Sequence, residues 1–141
     1  MEKIVLHADS ANMVSVDNFV RAICDTNHIG NYYATVLVAV GEAVERAVEY
    51  GKEKGLDVNL ELAFDYCRQG VFFRVQGLQG CFASGDYSLV HMLADEVLLL
   101  DDGSALQMTF AIRGIDYGEA AKRVSVLERF FHPAHTQVLQ M

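Results

Sequence analysis

Glu42 and Arg46 lie four residues apart in a segment of helical periodicity. That spacing makes an ordinary surface ion pair, worth about 0.2–0.5 kcal/mol. Cys81 sits in a glycine-bearing loop just ahead of a short helix that starts near Asp86. A helix N-terminus can activate a thiol, whereas apolar burial leaves it inert. His132 and His135 have a spacing that suits metal binding on a helix, but Pro133 lies between them and no third ligand is evident. His91, beside apolar neighbours, reads as structural or partly exposed. The phrase QGLQG (76–80) lacks the glycine spacing and the lysine of a phosphate loop. No Ser-His-Asp or Cys-His arrangement can be assigned from spacing alone.

These side chains must be positioned by nine elements. Residues 3–7 read as a strand, followed by a helix capped by Ser10 or Asn12, with Met13, Val16, Phe19, Val20 and Ile23 on one side. After a break at 27–30, Asn31 is expected to cap a second helix to about Glu49. Its stripe includes Val36, Val40, Val44 and Ala47, and Gly51 and Gly55 are expected to close it. Residues 57–66 alternate as a half-buried strand does, Arg68-Gln69-Gly70 turns the chain, and 71–75 returns as a hairpin. After the loop 76–85, Asp86 is expected to cap a short helix through Ala94. Strands 96–100 and 106–112 flank a tight turn at Asp101-Asp102-Gly103. A last helix spans about 117–131, with Ala120, Val124, Leu127 and Phe131 at helical spacing, and a loosely ordered tail follows. The last helix is expected to pack on its own domain, in preference to filling a cleft or forming a dimer face. The order β-α-α-β-β-α-β-β-α predicts an α+β two-layer sandwich, with a mixed, mostly antiparallel sheet and helices on one face.

Two phrases then stand out: VLVAVGEAVERAVEYG (36–51), and LADEV (93–97) leading into strand, glycine turn and strand. Together with the element order, they resemble the anti-sigma-factor serine kinase branch of the histidine-kinase-like (GHKL) ATPases, over about residues 3–113. The resemblance implies an ATPase domain at 1–114 and a C-terminal helix and tail at 115–141. In that family the helix carries Glu-Ala-x-x-Asn-Ala-x-x-His-Gly. Glu42, Ala43, Ala47 and Gly51 match, with Glu42 at the general-base position and Tyr50 at that of the histidine. Arg46 stands where the family's asparagine holds magnesium. A guanidinium has donors but no acceptor, so it cannot be a metal ligand.

The family's next motif, Asp-x-Gly-x-Gly-Phe, aligned on Phe82, places Gly77 at the adenine-reading aspartate and Gln79 and Cys81 at the glycines. Shifting the register puts Val75 at the aspartate position instead. The phosphate-facing Gly-x-Gly reads Ser84-Gly85-Asp86, and the loop that forms the ATP lid is almost gone. The resemblance therefore implies a degenerate ATP site, with ATP and magnesium lost. It also implies a protein partner such as a sigma factor or an anti-sigma antagonist in a bacterial signalling pathway, and a possible homodimer. The alternative is an active kinase in which Arg46 contacts phosphate directly. It would give up an adenine hydrogen bond worth about 1.5–3 kcal/mol. A third reading is a cleft turned to another small ligand.

Composition bounds these readings. A chain of 141 residues with 52% hydrophobic and 21% charged residues suits one folded domain. A net charge of −8 without a Lys/Arg cluster speaks against nucleic acid. Three cysteines (24, 67 and 81), none spaced Cys-x-x-Cys, suit reduced thiols in a cytoplasm. The opening MEKIVLHADS lacks the apolar core of a secretory signal, and no apolar run is long enough for a membrane helix.

Overall fold

Alternation in the strand segments and 3.6-residue periodicity in the helices produce the elements in the expected order. The computed structural model describes residues 1–7, 12–83 and 85–112. They form β1 (Glu2–His7), α1 (Asn12–Thr26), a 3₁₀ turn (Gly30–Tyr32), α2 (Tyr33–Glu53), β2 (Asn59–Cys67), β3 (Gly70–Gln76), α3 (Ser88–Leu93), β4 (Glu96–Leu100), a second 3₁₀ turn (Asp101–Gly103) and β5 (Ala105–Ala111). The predicted helix at 117–131 and the His132/His135 pair lie outside the described residues.

The five strands make one sheet in the order β1-β2-β3-β5-β4. All four pairings are antiparallel, so the mixed sheet expected from the sequence is corrected to an antiparallel one. Hairpin turns account for β2–β3 and β4–β5, because a short turn can join only antiparallel neighbours, while β1–β2 and β3–β5 pair across longer connections that contain helices. The register lines up Ile4, Leu62, Val75, Leu106 and Leu99 across the sheet on one face. A side-chain period of 2 then puts Phe64, Phe73 and Met108 on the same face. The helices cover that face with Val16, Val20 and Ile23 of α1, Val36, Val40, Val44 and Ala47 of α2, and Val90 of α3. The fold is thus an α+β arrangement in two layers. Phe73 sits at its centre, fully buried, with ring centroids 5.2 Å from Phe64, 6.2 Å from Phe110 and 6.4 Å from Phe19 of α1.

A polar clasp joins α1 to α2 at the surface. The Tyr33 hydroxyl donates to Asp17, and Arg21 donates to the Tyr33 oxygen at 2.8 Å while lying 4.6 Å over its ring. The Tyr33 hydrogen bond, with Arg21 beside it, holds the Asp17 carboxyl below its ordinary value.

Two helix boundaries differ from expectation. Asn31 lies in the 3₁₀ turn and does not cap α2; the residue preceding the helix is Tyr32, which makes no side-chain cap bond. Nor does Gly51 end α2, which runs on to Glu53, before Gly55 turns the chain in a left-handed conformation (φ +65°). Gly51 is needed for contact: a Cβ there would lie 1.8 Å from Val58 Cγ2, a buried side chain just ahead of β2. Helix and sheet approach too closely at this point for a methyl group. Gly51→Ala is therefore expected to lower stability by about 1–3 kcal/mol in urea denaturation. Gly30→Ala, where nothing lies within 4 Å, should stay within about 0.5 kcal/mol of the parent.

Candidate functional site

Spacing of four along α2 carries Glu42, Arg46 and Tyr50 in one line, of which Glu42 reaches α3. Glu42 is half-buried, and its carboxylate reaches the first turn of α3. Oε1 accepts the Val90 N–H at 3.0 Å, and Oε2 accepts the Leu89 N–H at 3.4 Å. The N-cap residue of α3, Tyr87, gives no side-chain bond to the helix start. Asp86 instead accepts the Ser88 N–H at 3.1 Å, so the expected role of Asp86 at this helix start is present at one residue's remove. The first three N–H groups of α3 are therefore satisfied by two carboxylates, one local and one from another helix. A negative group is favoured there both by hydrogen bonding and by the helix dipole.

The ion pair expected between Glu42 and Arg46 does not form. Arg46 turns to Glu49, at 3.5 Å, and both groups are largely exposed. Such a pair contributes little. Glu42 leaves the i+4 partner because two backbone N–H groups at α3 offer directed donors, whereas an exposed guanidinium offers only a screened charge. Tyr50 is half-buried, with Lys54 Nζ 5.5 Å from its ring centroid.

The loop from β3 to α3 folds inward. The Gly77 N–H donates to Ser104 O at 2.9 Å, and the Phe82 N–H donates to Gly103 O at 2.7 Å, tying the loop to the β4–β5 turn. Gly103 adopts φ +86°, and a Cβ on it would meet Ala83 at 2.8 Å; only glycine suits this seam. The seam drives Cys81, Phe82 and Tyr87 into the core, at 2%, 2% and 6% exposure. The Phe82 and Tyr87 rings lie 5.8 Å apart, and the Tyr87 hydroxyl donates to Cys81 O at 3.4 Å. A Cβ at Gly77 would lie 2.9 Å from Leu60 Cδ2 and 3.1 Å from Cys81 Sγ, so the space beside it is occupied by side chains.

Burial sets the ionisation of this cluster. It pushes the Cys81 thiol up to about 11. It pushes the Tyr87 phenol up to about 12, raised further by Cys81 and Glu42 and lowered in part by Arg46. Cys81 is therefore a buried, protonated thiol, and the start of α3 does not activate it. Cys81, Arg46 and Glu42 are thus all near enough to Tyr87 to act on its ionisation. Gln79, Gly85 and Asp86 are exposed at the rim.

Other candidates resolve simply. His91 is exposed on α3. All three cysteines are free and buried. No group of three or more metal-ligating side chains occurs among the described residues. No helix among them is long and apolar enough to cross a membrane. A cavity of about 410 Å³ lies between β1 and α1, lined by Ile4, Val5, Ser15, Asn18 and Phe19, none of them a predicted site residue. Sequence reasoning missed Tyr87, although an aromatic immediately ahead of a short helix is a signal that it packs beneath that helix. No local signal could have named Leu89 and Val90 as partners of Glu42, since they lie 47 and 48 residues away. No family model matches the chain, and no curated protein matches it.

Two outcomes follow from this geometry. Glu42→Ala should lose about 0.5–2 kcal/mol, as for loss of a helix cap, with amide exchange accelerated at Leu89 and Val90 more than in β2 or β3. Tyr87 supplies a pH dependence. Its folded pKa lies above the unfolded value, so its contribution is complete below pH 10 and is lost as the pH rises from 10 through about 12. Chemical denaturation across that range should show falling stability, and Tyr87→Phe should flatten the fall.

Proposed function

We propose that this chain is a non-catalytic regulatory module that acts by binding another protein. Its scaffold resembles the anti-sigma-factor serine kinases without retaining their nucleotide site. The observation that carries the reading is the position of the Glu42 carboxylate. It occupies the α3 N–H groups that an anionic phosphate would otherwise seek. A general base must also reach a proton on its substrate, and this carboxylate is committed to backbone donors. Phe82, Tyr87 and Cys81 fill the interior next to it, which supports a cleft closed by its own side chains. Arg46, standing at the magnesium position of the resemblance, is turned toward Glu49.

The three buried, unpaired thiols suit a reducing compartment, in keeping with a cytoplasmic role. By resemblance the partner is a sigma factor or an anti-sigma antagonist, and the module pairs as a homodimer.

Calorimetric and thermal-shift titrations with ATP and ADP, each with and without magnesium, test the reading. Neither heat nor a shift is expected. A ligand at one hundred times its Kd would stabilise the fold by about 2.7 kcal/mol, so a magnesium-dependent rise in Tm would instead establish the active-kinase reading. In parallel, a nucleotide-independent complex with a sigma factor or antagonist domain from the same cell is expected, and binding to neither would sink the partner assignment.

A further inference from the structure

The helices cover one face of the sheet, yet the centre of the other face is also shielded from solvent. The register sets Asp65, Phe72, Thr109 and Glu96 in one row on that face. The next row runs Ala63, Arg74, Gln107 and Leu98. Ala63, Thr109 and Phe72 are only 2%, 5% and 9% exposed. Antiparallel sheets commonly leave one face to water, and a threonine there would ordinarily be wet. Arg74 lies 5.6 Å over the Phe72 ring and hydrogen-bonds Gln107 at 2.7 and 3.0 Å, which shields part of the surface. No helix among the described residues lies over Thr109; α1, α2 and α3 all pack on the opposite side.

We propose that the chain's own C-terminal segment, residues 113–141, docks on this open face. The chain leaves β5 at Ala111, whose register partner is Gly70, and so emerges at the end of the sheet nearest the Phe72–Thr109 row. The expected helix at 117–131 has 15 residues and an apolar stripe of Ala120, Val124, Leu127 and Phe131. It would span about 22 Å, close to the roughly 23 Å of a seven-residue strand. The residues between β5 and that helix match the length of ordinary strand-to-helix connections. Charge favours the same docking. Residues 113–141 carry four Lys/Arg and three Asp/Glu, whereas residues 1–112 carry seven and sixteen. A segment of net positive charge is thereby drawn to an acidic body.

Paramagnetic broadening in the full chain tests the assignment. A nitroxide is attached at Leu98→Cys, on the open face, or at Val38→Cys, on the exposed side of α2. The native cysteines are buried and protected from the label. The Leu98→Cys label is expected to remove most of the amide signal of residues 117–131, and the Val38→Cys label to leave it. Leu127→Asp should restore the signal under the Leu98→Cys label and move the shifts of the Phe72–Thr109 row, while those of α1 and α2 on the opposite face hold. The proposal fails if the Leu98→Cys label leaves those amides unbroadened, or if only the Val38→Cys label broadens them. It also fails if broadening appears equally when the nitroxide and the isotope sit on different chains, which would make a second copy the occupant.

Discussion

The capping of α3 by Glu42 is the interaction on which the arrangement of this region turns. A helix of six residues has half its N–H groups in its orphan first turn. It is too short to be stable by propensity, so tertiary partners must hold it. Glu42 supplies two of those partners from the middle of α2, and α2 is held in turn by a stripe of fully buried valines and alanines. The position of α3 is therefore referred to the core through one carboxylate.

That arrangement has a chemical consequence. A helix N-terminus favours an anion, and this one already has two carboxylates within hydrogen-bond reach. An incoming phosphate would have to displace a group held at effectively very high local concentration, and would meet like charge in doing so. Beneath it, Phe82 and Tyr87 pack in the interior with a neutral thiol and a neutral phenol, both kept protonated by burial. Such an interior resembles a core more than a ligand site. Val38 of α2 and Leu89 and Met92 of α3 are exposed.

Much of the fold was legible residue by residue. Val58, Leu60, Leu62 and Phe64 alternate, so the strand and its inward face could be read directly, and Asp101-Asp102-Gly103 marked the turn that joins β4 to β5. The buried face of α2 followed from the spacing of Val36, Val40, Val44 and Ala47. Asn31 has the chemistry of a cap, yet the chain enters α2 through a 3₁₀ turn that uses local backbone bonds instead. Gly51 looks like a terminator until Val58 is seen against it. Glu42 has a perfectly placed local partner in Arg46, and the better donors come from another helix. For Gly51 and Glu42 a signal within a few residues was overruled by a contact from elsewhere in the chain.

The amino-acid order by itself determined the element types and the antiparallel hairpins, because periodicity and turn chemistry act over a few residues. Only the tertiary structure decided where Glu42 points, that Cys81 and Tyr87 are buried and neutral, and which glycine is a contact point. Those outcomes depend on groups dozens of residues apart competing for the same donors and the same volume, and no local pattern encodes the winner.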